Sequence, residues 1–251
     1  MKGRQIFEHA LRQVMNNLPA ALRVSGVLYL VQAVIGLLLG AQMMGAGMGG
    51  EMATRAAAGG SLGGLISLAA GVWIAVAWHR YVLLSEEPTA VLPPFMGDKM
   101  GAYFLKALLI GIALLVMAMI LGMVAGVIAT PLFSMGAGVI GLLVISLVVQ
   151  VPLIFLGLRL AAALRGAVIG VVHGFLGGCE ASKVDWVAML ELSVIMALAM
   201  WVLNLLGIFV FGRIPVIGTL WQLLIGWPVM MVGLSILTTL YGHYVQKRPL
   251  A

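Results

Sequence analysis

The sequence predicts an all-α membrane protein: a single domain over residues 1–251, formed by a bundle of six transmembrane helices and an N-terminal amphipathic interfacial helix. Of its residues, 63% are hydrophobic and 9% are charged, whereas a soluble domain carries about 25% charged residues. The hydrophobic residues form continuous runs of about 20 or more, which is the length that an α-helix needs to cross a bilayer. Continuous runs also exclude a membrane β-barrel, because its strands alternate polar and apolar residues.

The first element is a predicted amphipathic helix over residues 1–17. In GRQIFEHALRQVMNN (3–17), apolar residues such as Ile6, Ala10 and Val14 recur at helical spacing, and charged residues take the other side. Such a helix lies in the membrane interface with its apolar side toward the acyl chains. The same pattern also fits a helical extension of the first span, and the sequence leaves both interpretations open.

Six apolar runs follow, separated by segments that are rich in glycine, proline or charge. Proline stops helices and glycine gives the backbone extra freedom, so both mark connections. Residues 43–64 are therefore predicted to be a loop or frayed helix ends. Pro152 and Pro228 fall inside predicted spans, where a proline either kinks the helix or breaks it to build a transport site. The predicted spans are about 19–42, 62–84, 103–128, 138–158, 184–210 and 219–244.

The basic residues predict the orientation of these spans. If the N-terminus is cytoplasmic, Arg55 and Arg213 alone among the 14 lysines and arginines lie on the outer side. Cytoplasmic loops of membrane proteins carry this excess of positive charge. Both termini are therefore predicted to be cytoplasmic, and the net charge of +6 indicates membrane orientation rather than binding of nucleic acid. The twelve residues on the inner side are Lys2, Arg4, Arg12, Arg23, Arg80, Lys99, Lys106, Arg159, Arg165, Lys183, Lys247 and Arg248.

Motifs for catalysis, cofactors or metals are not found in the sequence. A single cysteine, Cys179, excludes an intrachain disulfide and a cysteine-based metal cage. The histidines lack zinc-binding spacing, and no phosphate-binding loop or Ser-His-Asp order is present. The prediction is a protein that is not an enzyme and has no cofactor. Four outer-loop methionines either bind soft Cu(I) or act as flexible apolar filler; they are Met43, Met44, Met48 and Met52.

Glu191 is the one carboxylate well inside an apolar run, VAMLELSVIMAL. A carboxylate at membrane depth is costly and is often functional. The structural alternative is that it pairs with a cation near the cytoplasmic surface, since a rise of about 1.5 Å per residue places it roughly 10 Å from the predicted start of its span. We predict that it faces protein rather than lipid. The cations within reach are Arg80, Arg159, Arg165 and Lys183.

Four other polar residues are candidates for a functional or structural role. Gln150 and Asn204 lie in predicted spans, where they either form interhelical hydrogen bonds or line a path for a polar solute. His79 and Arg80 lie at the end of the second span. The helix dipole favours cations at this position. Together with Glu86 and Glu87, which follow in the sequence, His79 and Arg80 also fit an ion-binding or catalytic group.

Four segments carry a resemblance to known proteins: AVAWHRYVLLSEEPTAVLPPF, YFLKALLIG, LRLAAALRGAVIG and GLSILTTLYGHYVQKRPL. In these segments the chain resembles a family of uncharacterised inner-membrane proteins of alphaproteobacteria, similar to the membrane domain of glycerophosphoryl diester phosphodiesterase. The family commonly has proline at the position of Arg165. The resemblance implies a multi-helix fold in a bacterial inner membrane and carries no established activity.

Two functions fit these observations. The first is a scaffold or accessory component of the inner membrane, whose partners are the lipid bilayer and other membrane proteins. The second is a transporter or channel for a small solute or lipid, which the prolines, Gln150 and Glu191 motivate. A cavity lined by these residues near the middle of the membrane distinguishes the second from the first.

Overall fold

The computed structural model describes residues 2–46, 51–87, 90–134, 136, 138–161, 185–211, 214–244 and 246–249. In this part of the chain every regular element is a helix. The elements are α1 (Lys2–Asn16), α2 (Leu18–Ala46), α3 (Glu51–Leu84), α4 (Gly97–Ser134), α5 (Gly138–Ala161), α6 (Trp186–Leu206), a π-helical turn (Gly207–Phe211) and α7 (Pro215–Tyr244).

Five of these helices are long and apolar enough to cross a membrane: Leu18–Leu38, Leu62–Leu84, Gly97–Pro131, Trp186–Phe211 and Val216–Tyr244. A multi-pass membrane protein is therefore supported. The predicted fourth span lies in α5, whose described apolar stretch, Ile145–Leu160, is shorter. The count of six spans stays a prediction.

Several helices extend beyond the predicted spans, because local helix formers outweigh glycine and proline. The segment 43–64, predicted to be a loop or frayed helix ends, is helical up to Ala46 and again from Glu51, consistent with its many alanines, which favour helix. Helix α4 begins at Gly97 rather than near residue 103 and continues to Ser134. Helices α5 and α7 continue through Pro152 and Pro228, as membrane helices tolerate proline.

Helix α1 is a separate element and not a continuation of α2. The chain turns at Asn17, whose side-chain amide donates to the Gln13 carbonyl at 2.8 Å. Ile6 and Ala10 on α1 are buried against Met189 of α6 and Leu240 of α7. This face therefore contacts protein rather than acyl chains, and the position of α1 at the membrane surface stays a prediction.

The buried core lies at the end of the bundle that α1 occupies. Trp78 near the end of α3 and Met231 of α7 are fully buried, as is Leu192 near the start of α6. In the other half of the bundle, large apolar side chains such as Met123 and Leu224 are about two-thirds exposed, at 67% and 71%. In aqueous solution, an exposed apolar surface of this kind would cause the protein to aggregate. The exposed half therefore fits a hydrocarbon environment.

Candidate functional site

Glu191 binds the beginning of α1. Its Oε2 atom accepts a hydrogen bond from the backbone N–H of Gly3 at 3.1 Å. Gly3 lies in the first turn of α1, where N–H groups have no partner within the helix. A carboxylate at this position also interacts favourably with the helix dipole. Glu191 therefore satisfies the backbone N–H of Gly3, which has no partner within α1.

A second acidic residue holds the same end of α1. The Lys2 ammonium donates to Asp185 Oδ2 at 2.8 Å, and the Tyr244 hydroxyl donates to the same atom at 3.2 Å. The hydrogen bond from Lys2 lowers the pKa of Asp185 below its ordinary value. Asp185 thus joins the start of α1, the start of α6 and the end of α7.

The described partner of Glu191 is a backbone amide, and a cation partner for Glu191 stays a prediction. Arg159 lies over the Phe155 ring, 5.7 Å from its centroid. Glu191 does act on Arg4 through charge, although the hydrogen bond to Glu8 is the main cause that raises the pKa of Arg4. Lys183 and Arg165 lie outside the described residues. The sequence did not reveal the amide partner, because any residue type supplies a backbone N–H.

We expect the Glu191→Gln variant to be nearly as stable as the wild type, because the glutamine carbonyl can still accept from Gly3. Glu191→Leu removes the acceptor and should lower the free energy of unfolding by about 1–2 kcal/mol. The measurement is the thermal midpoint of the purified protein in a mild detergent. Glu87→Leu, at an exposed carboxylate outside the spans, is the control and should change little. Equal losses for the two Glu191 variants would contradict the hydrogen-bond role.

His79 is fully buried where α3, α4 and α7 meet. The Thr238 hydroxyl donates to the Leu234 carbonyl at 2.7 Å, so its oxygen accepts from His79 Nδ1–H at 2.8 Å. His79 Nε2 lies 3.4 Å from the Tyr103 hydroxyl on α4. The neighbouring Trp78 indole donates to Ser235 Oγ at 2.9 Å. These bonds make His79 part of a structural junction, with its proton on Nδ1.

Arg80 ties the end of α3 to the connection that follows it. Its Nε donates to Glu86 Oε2 at 2.8 Å, and a second guanidinium nitrogen contacts the other carboxylate oxygen. A two-point ion pair of this kind fixes the geometry of both groups. The pair borders a small cavity of about 120 Å³ together with Tyr81, Glu87 and Pro93. Arg80 is thus a positioning residue for the loop.

Gln150 and Asn204 lie in one cleft between α5 and α6. The cleft has a volume of about 520 Å³, and Ser146 and Trp201 also line it. The Asn204 side-chain amide donates to the Met200 carbonyl of its own helix at 2.9 Å. The indole N–H of Trp201 is buried without a hydrogen-bond partner in the described part of the chain. The cleft therefore gathers polar groups inside two apolar helices.

The structure separates the five candidate residues into three places: Glu191 at α1, His79 and Arg80 at the end of α3, and the two amides in the cleft. Trp201 was missed, although it precedes Asn204 by three positions, a spacing that places both on one helix face. Among the described residues, no group of three His, Cys, Asp or Glu side chains is placed to hold a metal ion. Cys179 and the side chains of the outer-loop methionines lie outside the described part.

The geometry therefore assigns two of these places to holding helices together. In the third, the α5–α6 cleft, the indole N–H of Trp201 is left without a partner among the described residues. Comparisons with protein-family models, curated proteins and solved structures find no match for this chain. The resemblance to the alphaproteobacterial family stays a prediction. The chain is compatible with a multi-pass integral membrane protein, because its helices are long and apolar enough to cross a bilayer.

Proposed function

We propose that this protein is a non-enzymatic accessory or scaffold component of a bacterial inner membrane, and that it binds a transmembrane helix of a partner protein in the α5–α6 cleft. The observation that carries this proposal is the pair of amide side chains, Gln150 and Asn204, that line the cleft inside two apolar helices, next to the buried indole N–H of Trp201. Lipid tails offer no hydrogen bonds, so polar groups at membrane depth need a protein or water partner. Amide side chains commonly supply such bonds between helices.

The shape of the cleft favours a helix as its occupant. The cleft runs along two helices, and apolar residues such as Val149, Leu153 and Ile208 flank its polar groups. An apolar surface with a few polar groups matches a transmembrane helix that carries one or two polar side chains. Asn204 is exposed, and its carbonyl oxygen can accept from such a side chain.

A transporter or channel for a small solute or lipid is the second candidate, and the volume of the cleft, about 520 Å³, favours it. A π-helical turn follows α6 beside the cleft, and such turns are frequent at functional sites. Two observations weigh against it. The proline-containing helices α5 and α7 are continuous, and Glu191 is engaged with α1 instead of lining the cleft.

The two candidates are separated by site-specific photo-crosslinking in native membranes. A photoreactive residue at Leu205, which lines the cleft, should give a discrete adduct with another membrane protein. The same residue at Leu115, which is 61% exposed on α4, should not. The Gln150→Leu/Asn204→Leu double variant should lose the adduct at Leu205, because it removes the bonding groups. An adduct that persists in the double variant, or no adduct at all, would count against a partner helix.

Six spans with both termini in the cytoplasm form part of this proposal. The charge pattern supports it, and so does the geometry: Lys2 and Tyr244 both bond to Asp185, so the beginning of α1 and the end of α7 lie at one end of the bundle. Leu158, near the end of α5, packs with Ile6 of α1 on that same side. A return to the starting side needs an even number of crossings, which supports α5 as a span.

Reporter fusions test this topology. Fusions after Gly97 and Ala251 should report a cytoplasmic location, and a fusion after Gly212 should report a periplasmic one, because the helices between them cross once each. Periplasmic signal at Ala251 would contradict the even count of spans.

A further inference from the structure

A cavity of about 290 Å³ lies at the end of the bundle where α3 and α7 finish beside α1. Three elements contribute polar side chains to it: His9 and Gln13 from α1, Thr239 and His243 from α7, and Arg248 from the C-terminal tail. None of the described residues that line it is an aspartate or glutamate. The cavity is therefore electropositive. It lies in the half of the bundle opposite to the α5–α6 cleft.

The tail that follows α7 has a defined conformation that brings Arg248 to this cavity. Lys247 has a left-handed backbone, with φ of 59°, and the Arg248 N–H then donates to the Gly242 carbonyl at 2.9 Å. The Arg248 guanidinium donates to the carbonyls of Val82 and Leu83 at 3.4 and 3.0 Å. A guanidinium has five N–H donors and a permanent charge. Donors therefore remain for a ligand after the end of α3 is capped.

The hydroxyl of Thr239, which lines this cavity together with Arg248, has no hydrogen-bond partner in the described part of the chain. Thr239 is only 5% exposed. A buried polar group without a hydrogen bond lowers stability, so such groups are usually satisfied by a bound molecule or by ordered water. A hydroxyl and a guanidinium both donate hydrogen bonds, which the oxygens of a phosphate accept.

We propose that this cavity binds a phosphate-bearing anion, either the phosphate head of a membrane lipid or a soluble phosphate. The spans in α3 and α7 end at Leu84 and Tyr244, which puts the cavity near the depth at which lipid phosphates lie. The carbonyl ends of these helices disfavour an anion. Arg248 offsets this effect at α3, because it bonds to the terminal carbonyls there and adds a positive charge.

The test uses the purified full chain, freed of lipid, in a detergent with an uncharged head group. One arm compares inorganic phosphate with sodium chloride at the same ionic strength. The other compares short-chain phosphatidic acid with the diacylglycerol of the same chains, which lacks the phosphate. The thermal midpoint should rise in at least one phosphate arm over its control. A rise only with phosphatidic acid identifies a lipid head as the source, and a rise with inorganic phosphate identifies a soluble anion. No rise in either arm would overturn the proposal.

Single substitutions test whether the phosphate-bearing anion binds in this cavity. Arg248→Gln should weaken the apparent affinity about tenfold, whereas Lys247→Gln, which removes an equal charge at an exposed neighbour outside the cavity lining, should stay within about twofold. Because Arg248 also caps α3, Thr239→Val serves as a second variant that leaves the cap intact, and it should weaken binding about threefold or more. Wild-type affinity in both Arg248→Gln and Thr239→Val would overturn the proposal.

Discussion

Replacing Gly3 with alanine is expected to force α1 away from α6 and to lower the thermal midpoint more than any exposed substitution. A Cβ atom at Gly3 would lie 2.6 Å from the Ala188 carbonyl oxygen and 2.8 Å from the Leu192 nitrogen. Both are backbone atoms of a helix and cannot rotate away. Overpacking of this kind costs about 1–3 kcal/mol, and loss of the hydrogen bond to Glu191 adds about 1 kcal/mol.

The measurement combines the thermal midpoint with hydrogen exchange of the α1 amides, which should become faster as α1 detaches. Gly26→Ala in α2 is the matched control, because no neighbouring atom lies within 4 Å of a Cβ placed there. Alanine also favours helix over glycine by up to about 1 kcal/mol, so this control should be neutral or stabilising. If the two glycine variants behaved alike, close contact of α1 with α6 would be refuted.

The second large effect is expected at His79. His79→Ala removes a fully buried ring that contacts α4 and α7, leaving a cavity and taking one hydrogen-bond partner each from Thr238 and Tyr103. We expect the free energy of unfolding to fall by about 2–4 kcal/mol. Leu105→Ala on α4, where the side chain is 59% exposed, is the control and should cost much less, because that side chain packs against few protein atoms.

A double-mutant cycle with Thr238→Val tests whether the hydrogen bond itself matters. Valine has the shape of threonine without the hydroxyl, so it removes the bond to His79 while filling the same space. The loss in His79→Ala/Thr238→Val should be smaller than the sum of the single losses by about 1 kcal/mol. Strict additivity would show that His79 acts through packing alone, and would remove the basis for its assigned tautomer.

The three groups of polar residues differ in whether they have hydrogen-bond partners within the described part of the chain. Glu191 and His79 have partners inside the chain, so their roles are structural even though both lie in apolar helices. Trp201 has no described partner, and its neighbours Gln150 and Asn204 are the two candidates that remain open toward a ligand or helix. The exposed apolar half of the bundle contains this cleft, whereas the tightly packed half contains the phosphate cavity.

The membrane class and the helices could be predicted from the sequence because both depend on local properties. Hydropathy over about 20 residues decides whether a helix can enter a bilayer, and each of the five helices found able to span begins or ends within a few residues of a predicted span. The amphipathic pattern of residues 3–17 likewise marks the side of α1 that carries Ile6 and Ala10, both of which are buried. Boundaries at glycine and proline were less predictable, because alanine content and the bilayer compete with them.

The partners of the polar residues were decided by the tertiary structure alone. Lys2 meets Asp185 across 183 positions, and Gly3 meets Glu191 across 188; hydropathy and spacing contain no information about contacts so distant. The sequence by itself determined that Glu191 must find a partner, because a bare carboxylate in hydrocarbon is too costly. Only the packing of α1 on α6 decided that this partner is a backbone amide, since the missing side chain of Gly3 lets the two helices approach closely enough for the bond to form.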